Sequence, residues 1–434
     1  MGADSAALLR NSIPMENIPL LVTSTPTGLA RTMLVLGALL IAGALLAGLA
    51  RRGFLSMVAI YVLAGLALGQ SGLQWLDFSP TSPFVTDMTI VALVVVLFRD
   101  GIEVDSEMLR SHWRLPARKL VLAMPITAAI VALTGHFAVG LDWTEALLLG
   151  ALLAPTDPVL SSAIVTNLRV PAVLRNSLNL ESGLNDGLAL PAVLALIAAL
   201  TPNSNFVLWE FLIQDIGGGL LIGAVVALAA AALLPRNSTI KPHLLSLYAF
   251  GVALLAYGVA VVGLEANGLI AVFTGAIILG LRRPDLVDAF ASRADDVVEI
   301  TKLLVFLVFG AAISLGALLA DGWSAVAVVA VTFLVARPVG IAIALIGSKL
   351  NASSKLFMAW FGPKGVATMS FSLLVYERVS GGERIANLAA LCVLVSIVAH
   401  GLTDIPGVNW IASRTRDGFD SSAPADAGGK PSQA

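Results

Sequence analysis

Three carboxylic acids and two bases fall where the chain is otherwise apolar. Asp157 lies in "LLAPTDPVL", Glu181 and Asp186 in "ESGLNDGLALP", Arg337 in "FLVARPVGIA" and Lys364 in "WFGPKGVATMS". Charge at bilayer depth is costly, so an ionisable residue there calls for a function and a partner. On a helix, Glu181 and Asn185 share one stripe, and Ser182 and Asp186 share a neighbouring one. An unpaired buried carboxylate takes up a proton, so Glu181 needs a cation if it is to stay charged. Arg337 is the natural choice, because a guanidinium is always charged and forks onto a carboxylate. Asp186 is then left without a dedicated counter-ion. Such a group holds either a proton or a metal cation, and with Ser182 it suits a hydrated ion site.

The prolines say what backbone carries these groups. Pro155 and Pro158 flank Asp157, and Gly362, Pro363 and Gly365 surround Lys364. Proline has no N–H to donate, so each stretch predicts a helix broken for a few residues. Broken backbone at membrane depth is tolerated only where it is buried in protein or lines a cavity. The half-helix ends left there carry partial charge, positive at N-termini and negative at C-termini. Asp157 is placed to offset the first or to ligate a cation directly, and Lys364 to offset the second.

The surrounding elements are membrane spans. The chain has 434 residues, 58% of them hydrophobic and 12% charged, against about 25% charged in soluble domains. Its mean hydropathy is +0.91. Several continuous apolar runs reach the roughly 20 residues that cross a bilayer as helix. Their continuity argues against the alternating pattern of a β-barrel. The expected fold is an all-α polytopic membrane protein of about 13 transmembrane helices. They fall near 30–50, 54–70, 84–100, 116–140, 143–166, 176–200, 206–235, 243–264, 266–282, 299–320, 323–347, 355–377 and 385–410. Arg51, Arg52, Arg99, Arg110, Arg114, Arg118, Lys119, Arg169, Arg175, Arg236, Lys241, Arg282, Arg283, Arg293, Lys302, Lys349 and Lys355 then fall on one side, with Arg10, Arg31, Arg378 and Arg384 on the other. That asymmetry places the N-terminus outside and the C-terminus in the cytoplasm. Residues 1–29 read as an extracytoplasmic segment without the pattern of a cleavable signal peptide, and 411–434 as a short disordered tail. The breaks occupy the fifth and twelfth spans. An offset of seven predicts two inverted six-helix repeats whose discontinuous helices cross near the midplane, which is a transporter architecture.

These ordered motifs resemble the sodium/proton exchanger branch of the monovalent cation:proton antiporters, the NhaP type. "PTDPV", "ESGLND", "ARPVG" and "GPKG" carry the resemblance, with "ANGLIAVFTGAIILG" and "VSIVAHGLT" in support. It covers about residues 30–410. It implies exchange of Na⁺, or of Li⁺ or K⁺, for H⁺ by alternating access in the cell (inner) membrane, with cation and proton competing for Asp186. It implies Asp186 as the ion-binding acid, with Thr156 and Ser182 as further ligands and Asp157 nearby. It also implies a structural Glu181–Arg337 pair and Asn185 as the partner of Asp186 in an Asn–Asp pair. Electrogenic relatives usually carry Asp at the Asn185 position, so asparagine implies electroneutral exchange. Lys364 stands where many members carry Arg. The resemblance further implies a homodimer, with a core bundle over about 116–200 and 323–410 and a dimerisation scaffold over about 30–100 and 206–320.

Other readings fare worse. An organic-anion or bile-acid-like sodium-coupled symporter would want a larger polar cavity. A channel would want a filter loop or pore-lining symmetry. An enzyme would need a nucleophile–base set, and the sequence offers none. No cofactor is expected, and a net charge of −2 gives no reason to expect a nucleic-acid partner. "GGGLLIG" in the seventh span reads as close helix packing. Cys392 reads as a small core residue, Asp215 as interfacial, His112 and His243 as loop or interface residues, and His136 and His400 as lying near span ends.

Overall fold

A computed structural model describes residues 28–50, 57–104, 113–157, 162–202, 206–235 and 240–419. Among these residues every regular element is helical. The helices are α1 Gly28–Ala50, α2 Met57–Leu68 and α3 Pro83–Ile102. Next come α4 Arg114–Val139, α5 Trp143–Leu153, α6 Ser162–Val165 and α7 Ala172–Leu200. Then follow α8 Leu208–Leu233, α9 Pro242–Gly263, α10 Gly268–Arg282, α11 Pro284–Ala312 and α12 Leu315–Leu318. The chain continues through α13 Trp323–Ala344, α14 Ala352–Trp360, α15 Val366–Arg378 and α16 Glu383–Phe419. Six of them (α4, α7, α8, α9, α13 and α16) are long and apolar enough to cross a membrane, and shorter apolar helices lie within or make up α1, α2, α5 and α10. The protein is a multi-pass membrane protein.

Local chemistry fixes where the helices start. Asp142 and Glu145 form a reciprocal capping box at α5. Asn267 accepts from the N–H groups of Leu269 and Ile270 at α10, and Asn351 from that of Ser354 at α14. Gly140 turns the chain between α4 and α5 at a φ of 78°, in the left-handed region where glycine is favoured.

Packing divides the helices into two neighbourhoods. Helices α4, α5, α7 and α13–α16 pack on one another, while α2, α3 and α8–α11 form the second group, and α3 also touches α7 and α15. Small residues allow the closest approaches. Gly223 of α8 lies against the Ala271 backbone of α10, as expected from "GGGLLIG", and Gly65 of α2 lies against Leu307 and Gly310 of α11.

The helix at the tenth span differs from its expected bounds. Hydropathy places a span at 299–320, but α11 begins at Pro284 and stops at Ala312, with α12 following. Its first two thirds, "PDLVDAFASRADDVVEITK", are too charged to read as an apolar run, yet proline at the first position and good helix formers carry the helix on. The last helix also runs on to Phe419, past the 411 boundary expected for a disordered tail. The expected N-terminal segment to residue 27 and the tail from 420, with Arg51, Arg52, Arg110, His112, Pro158 and Arg236, lie outside the described residues.

Candidate cation site at the crossing of two broken helices

Helix α5 ends at Leu153, and α14 gives way to extended chain from Phe361 to Gly365 before α15 begins. The two breaks touch: the Asp157 N–H donates to the Pro363 carbonyl at 2.8 Å. Each break then supplies the charge that the other's helix end requires. Lys364 is wholly buried, and its Nζ donates to the carbonyls of Pro155 at 2.9 Å and Ala154 at 3.3 Å, at the C-terminal end of α5. The Asp157 carboxylate accepts from the Val366 N–H at 3.0 Å, at the N-terminus of α15. A cation thus meets the negative end of one half-helix and an anion the positive end of the other. Gly365 is needed for this approach, because a Cβ there would collide with the Asp157 carboxyl.

Helix α7 runs beside the crossing and buries Glu181, Ser182, Asn185 and Asp186. Glu181 meets Arg337 at 3.1 Å, the expected partner. It also meets Lys119 of α4, closer still at 2.6 Å. Positive-inside counting places Lys119 in a cytoplasmic connection, but it is 1% exposed, and its Nζ also donates to the Ser177 carbonyl at 2.9 Å. Arg337 reaches on to the Phe361 and Met358 carbonyls at the end of α14. Gly362 lies so close to the guanidinium that a side chain there would occupy its place. One carboxylate therefore ties α4, α7, α13 and α14 together. Widened helical turns accompany both cations: one begins at Lys119, and another, Thr332–Ala336, ends just before Arg337. Such turns re-aim side chains within a helix and are frequent at functional sites.

One turn further along α7 the picture changes. The Asn185 amide donates to the carbonyl and the hydroxyl of Thr156, both at 2.9 Å, and so fastens α7 to the first break. Asp186 is buried but has no ion pair or hydrogen bond among the described residues. Asp100, Asp157, Lys302 and Lys364 lie within electrostatic reach of it. Two of these four were missed in the sequence. Asp100, at the end of α3, is buried and 3.2 Å from Arg99, and Lys302 of α11 is also buried. Both sit at the end or in the charged half of a helix, where a hydropathy reading assigns charge to the surface. A narrow cleft between α3 and α7, lined by Arg99, Asp100, Glu103, Asn179 and Gly183, lies beside this group. Among the described residues no three of His, Cys, Asp and Glu gather tightly enough to hold a metal ion by themselves. Any ion here would depend on hydroxyl, carbonyl or water oxygens as well.

The sequence pattern of the family described as "Sodium/hydrogen exchanger, transmembrane" matches residues 38–410. A K(+)/H(+) antiporter NhaP of Alkalimonas amylolytica is 26% identical over 408 residues, covering 91% of this chain and 70% of that protein. The Na(+)/H(+) antiporter 2 of Zygosaccharomyces rouxii is 33% identical over a shorter 181 residues, 38% of this chain and 22% of the yeast protein. The chain spans 65% of the K(+)/H(+) antiporters NhaP2 of several Shewanella strains. In fold it is similar to the sodium proton antiporter MjNhaP1 of Methanocaldococcus jannaschii at pH 8, with a TM-score of 0.75 and 21% identity, covering 89% of this chain and 99% of that one. With the family pattern covering nearly the whole transmembrane region, the chain belongs to the sodium/hydrogen exchanger family, a family of transporters and not of enzymes.

Proposed function

We propose that this protein exchanges a monovalent cation for a proton, with Asp186 binding one or the other in turn. The observation that carries this reading is the contrast on α7: Glu181 is held by two cations, while Asp186, also buried, has no ion pair. A carboxylate without a fixed counter-ion is free to take a transported one. The Asp157 carboxylate, the Thr156 hydroxyl and Ser182 supply further oxygen ligands, and Asp100 adds negative charge at the cleft. Glu181, Arg337, Asn185 and Lys364 hold the two breaks in register. A site lined by carboxylates does not suit an organic anion. The exchange is electroneutral in this reading, one cation for one proton, because Asn185 carries no proton of its own.

The wider architecture follows from the same reading. Thirteen passes with the N-terminus outside and the C-terminus in the cytoplasm form two inverted repeats. A core of about 116–200 and 323–410 moves against a scaffold of about 30–100 and 206–320, which also forms a homodimer interface in the cell membrane. Na⁺ is the first candidate ion. K⁺ is the second, favoured by the names of the relatives that match along most of this chain. Purified protein in liposomes holding a pH-sensitive dye decides both points. Addition of Na⁺, Li⁺ or K⁺ should drive proton movement, and the ion giving half-maximal flux at the lowest concentration is the substrate. Absence of flux with all three overturns the reading.

A further inference from the structure

The stretch "VSIVAHGLT" lies in α16 and contributes no ligand to the crossing. Expected near a span end, His400 is instead 1% exposed in mid-helix. Its Nε2 lies 3.1 Å from the Trp360 carbonyl, at the last residue of α14. Its Nδ1 lies 3.2 Å from the Ser396 hydroxyl and 2.9 Å from the Ser396 carbonyl. The same Ser396 hydroxyl accepts from the Lys364 N–H at 2.8 Å. One turn on, Thr403 accepts from the Trp360 indole N–H at 2.9 Å. Ser396, His400 and Thr403 stand at i, i+4 and i+7, so they form one polar stripe facing the break.

Each ring nitrogen faces a carbonyl that can only accept, Trp360 at Nε2 and Ser396 at Nδ1, so a neutral His400 serves only one of them; the clasp takes the tautomer with the proton on Nε2, which keeps the link to Trp360. Nδ1 is then free to accept from the Ser396 hydroxyl. The result is a chain of three donations: Lys364 N–H to Ser396 Oγ, Ser396 O–H to His400 Nδ1, and His400 Nε2–H to Trp360 O. It starts on one side of the break and ends on the other. Between its ends stand Phe361, Gly362 and Pro363, the residues that meet Arg337 and the Asp157 N–H. Without α16 the Lys364 amide would be a buried donor lacking a partner, and such groups are strongly disfavoured.

We propose that His400 and Ser396 are positioning residues for cation binding: they clasp the break between α14 and α15 and so fix where Lys364 meets the end of α5 and where Pro363 meets Asp157. This rests on the reading of the crossing as the cation site. Neither residue touches the ion. Their effect is on the geometry of the Ala154 and Pro155 carbonyls and the Thr156–Asp157 backbone.

The test uses the full chain in liposomes and in detergent, with variants H400L, H400Q and S396A and with Na⁺ and K⁺ as probes. Glutamine can donate to Trp360 and accept from Ser396, whereas leucine fills the space and does neither. H400L and S396A should raise the half-saturating cation concentration about tenfold, the equivalent of one lost buried hydrogen bond. Maximal flux should stay within about twofold, since only binding geometry is altered, and H400Q should restore the affinity. Amide hydrogen exchange over 361–366, measured without cation, should quicken in H400L and S396A and not in H400Q. If H400L does not fold, S396A carries the test by the same readouts. Unchanged affinity in S396A, H400Q as impaired as H400L, or unaltered exchange in H400L and S396A each overturns the proposal. If the wild-type protein moves no proton with either ion, the cation-site reading fails, and the proposal with it. The exchange data would then show a clasp that is structural only.

Discussion

Glu181 and Asp186 lie five residues apart on one helix, both buried, and the protein treats them in opposite ways. Glu181 is gripped by Lys119 and Arg337. Asp186 faces a mixed field of two carboxylates and two lysines, none of them ion-paired or hydrogen-bonded to it among the described residues. What separates them is the neighbouring helices. Helices α4 and α13 bring cations to one face of α7, whereas α3 brings another acid towards the next. A carboxylate held by two bases strengthens the fold and stays charged. One with no base in contact is available for exchange.

Breaking the contrast at Asp186 should have the largest effect. We expect D186N to abolish cation-driven proton flux, a loss beyond a hundredfold, while the purified protein keeps its melting temperature to within about 3 °C; a stability change under about 1 kcal/mol moves Tm by that order in a chain of this size. Substantial flux in that variant would remove Asp186 from the mechanism.

At Glu181 the loss should fall on stability. E181Q strands Lys119 and Arg337 beside each other, and removing one partner of a buried pair costs about 3–5 kcal/mol. The two cations should then be unequal to the anion. K119M or R337M alone leaves Glu181 with its other base, so each should cost less, about 1–3 kcal/mol. The double variant K119M/R337M should lose more than the sum, since only then is Glu181 left without a cation. Additive losses in detergent melts would show that the two bases do not share the carboxylate.

The smallest expected effect is a null one. If Asp186 carries either ion and Asn185 carries none, the sodium or potassium gradient that balances an imposed pH gradient should not move with membrane potential. A shift with voltage would show a second titrating carrier, and Asp157 or Asp100 would be examined first. In N185D the same measurement should acquire a voltage dependence if an acid at that position takes up a second proton.

The broken spans, the Glu181–Arg337 contact and the pairing of each break with a charge were legible in sequence. Proline, glycine and charge occurring together in apolar runs leave few other arrangements. Lys119, Asp100, Lys302 and His400 were not. All four lie on helices at points where hydropathy alone does not fix depth. Lys119 follows Arg114 and Arg118, which do lie towards the surface, and nothing local separates it from them. Its burial is set by Glu181, which is 62 residues away. Lys302 is hidden for a related reason, since the charged stretch 284–298 reads as loop and so sets Lys302 at a span end, whereas the helix runs unbroken from Pro284. Partnership across a fold is a long-range property, and positive-inside counting assigns every cation near a span end to the same side.

Gly362 and Gly365 carry this argument into the tolerance of the chain to change. Each leaves a volume that another residue's charged group already fills, the Arg337 guanidinium at one and the Asp157 carboxyl at the other. The added methyl group of alanine, the mildest replacement in ordinary terms, is therefore a displacement of a charge rather than a gain of packing. In a saturation library these two positions should be as intolerant as the ionised residues, although they carry no chemistry of their own. An engineer seeking to alter ion preference would do better to leave both positions bare and vary the hydroxyls around them.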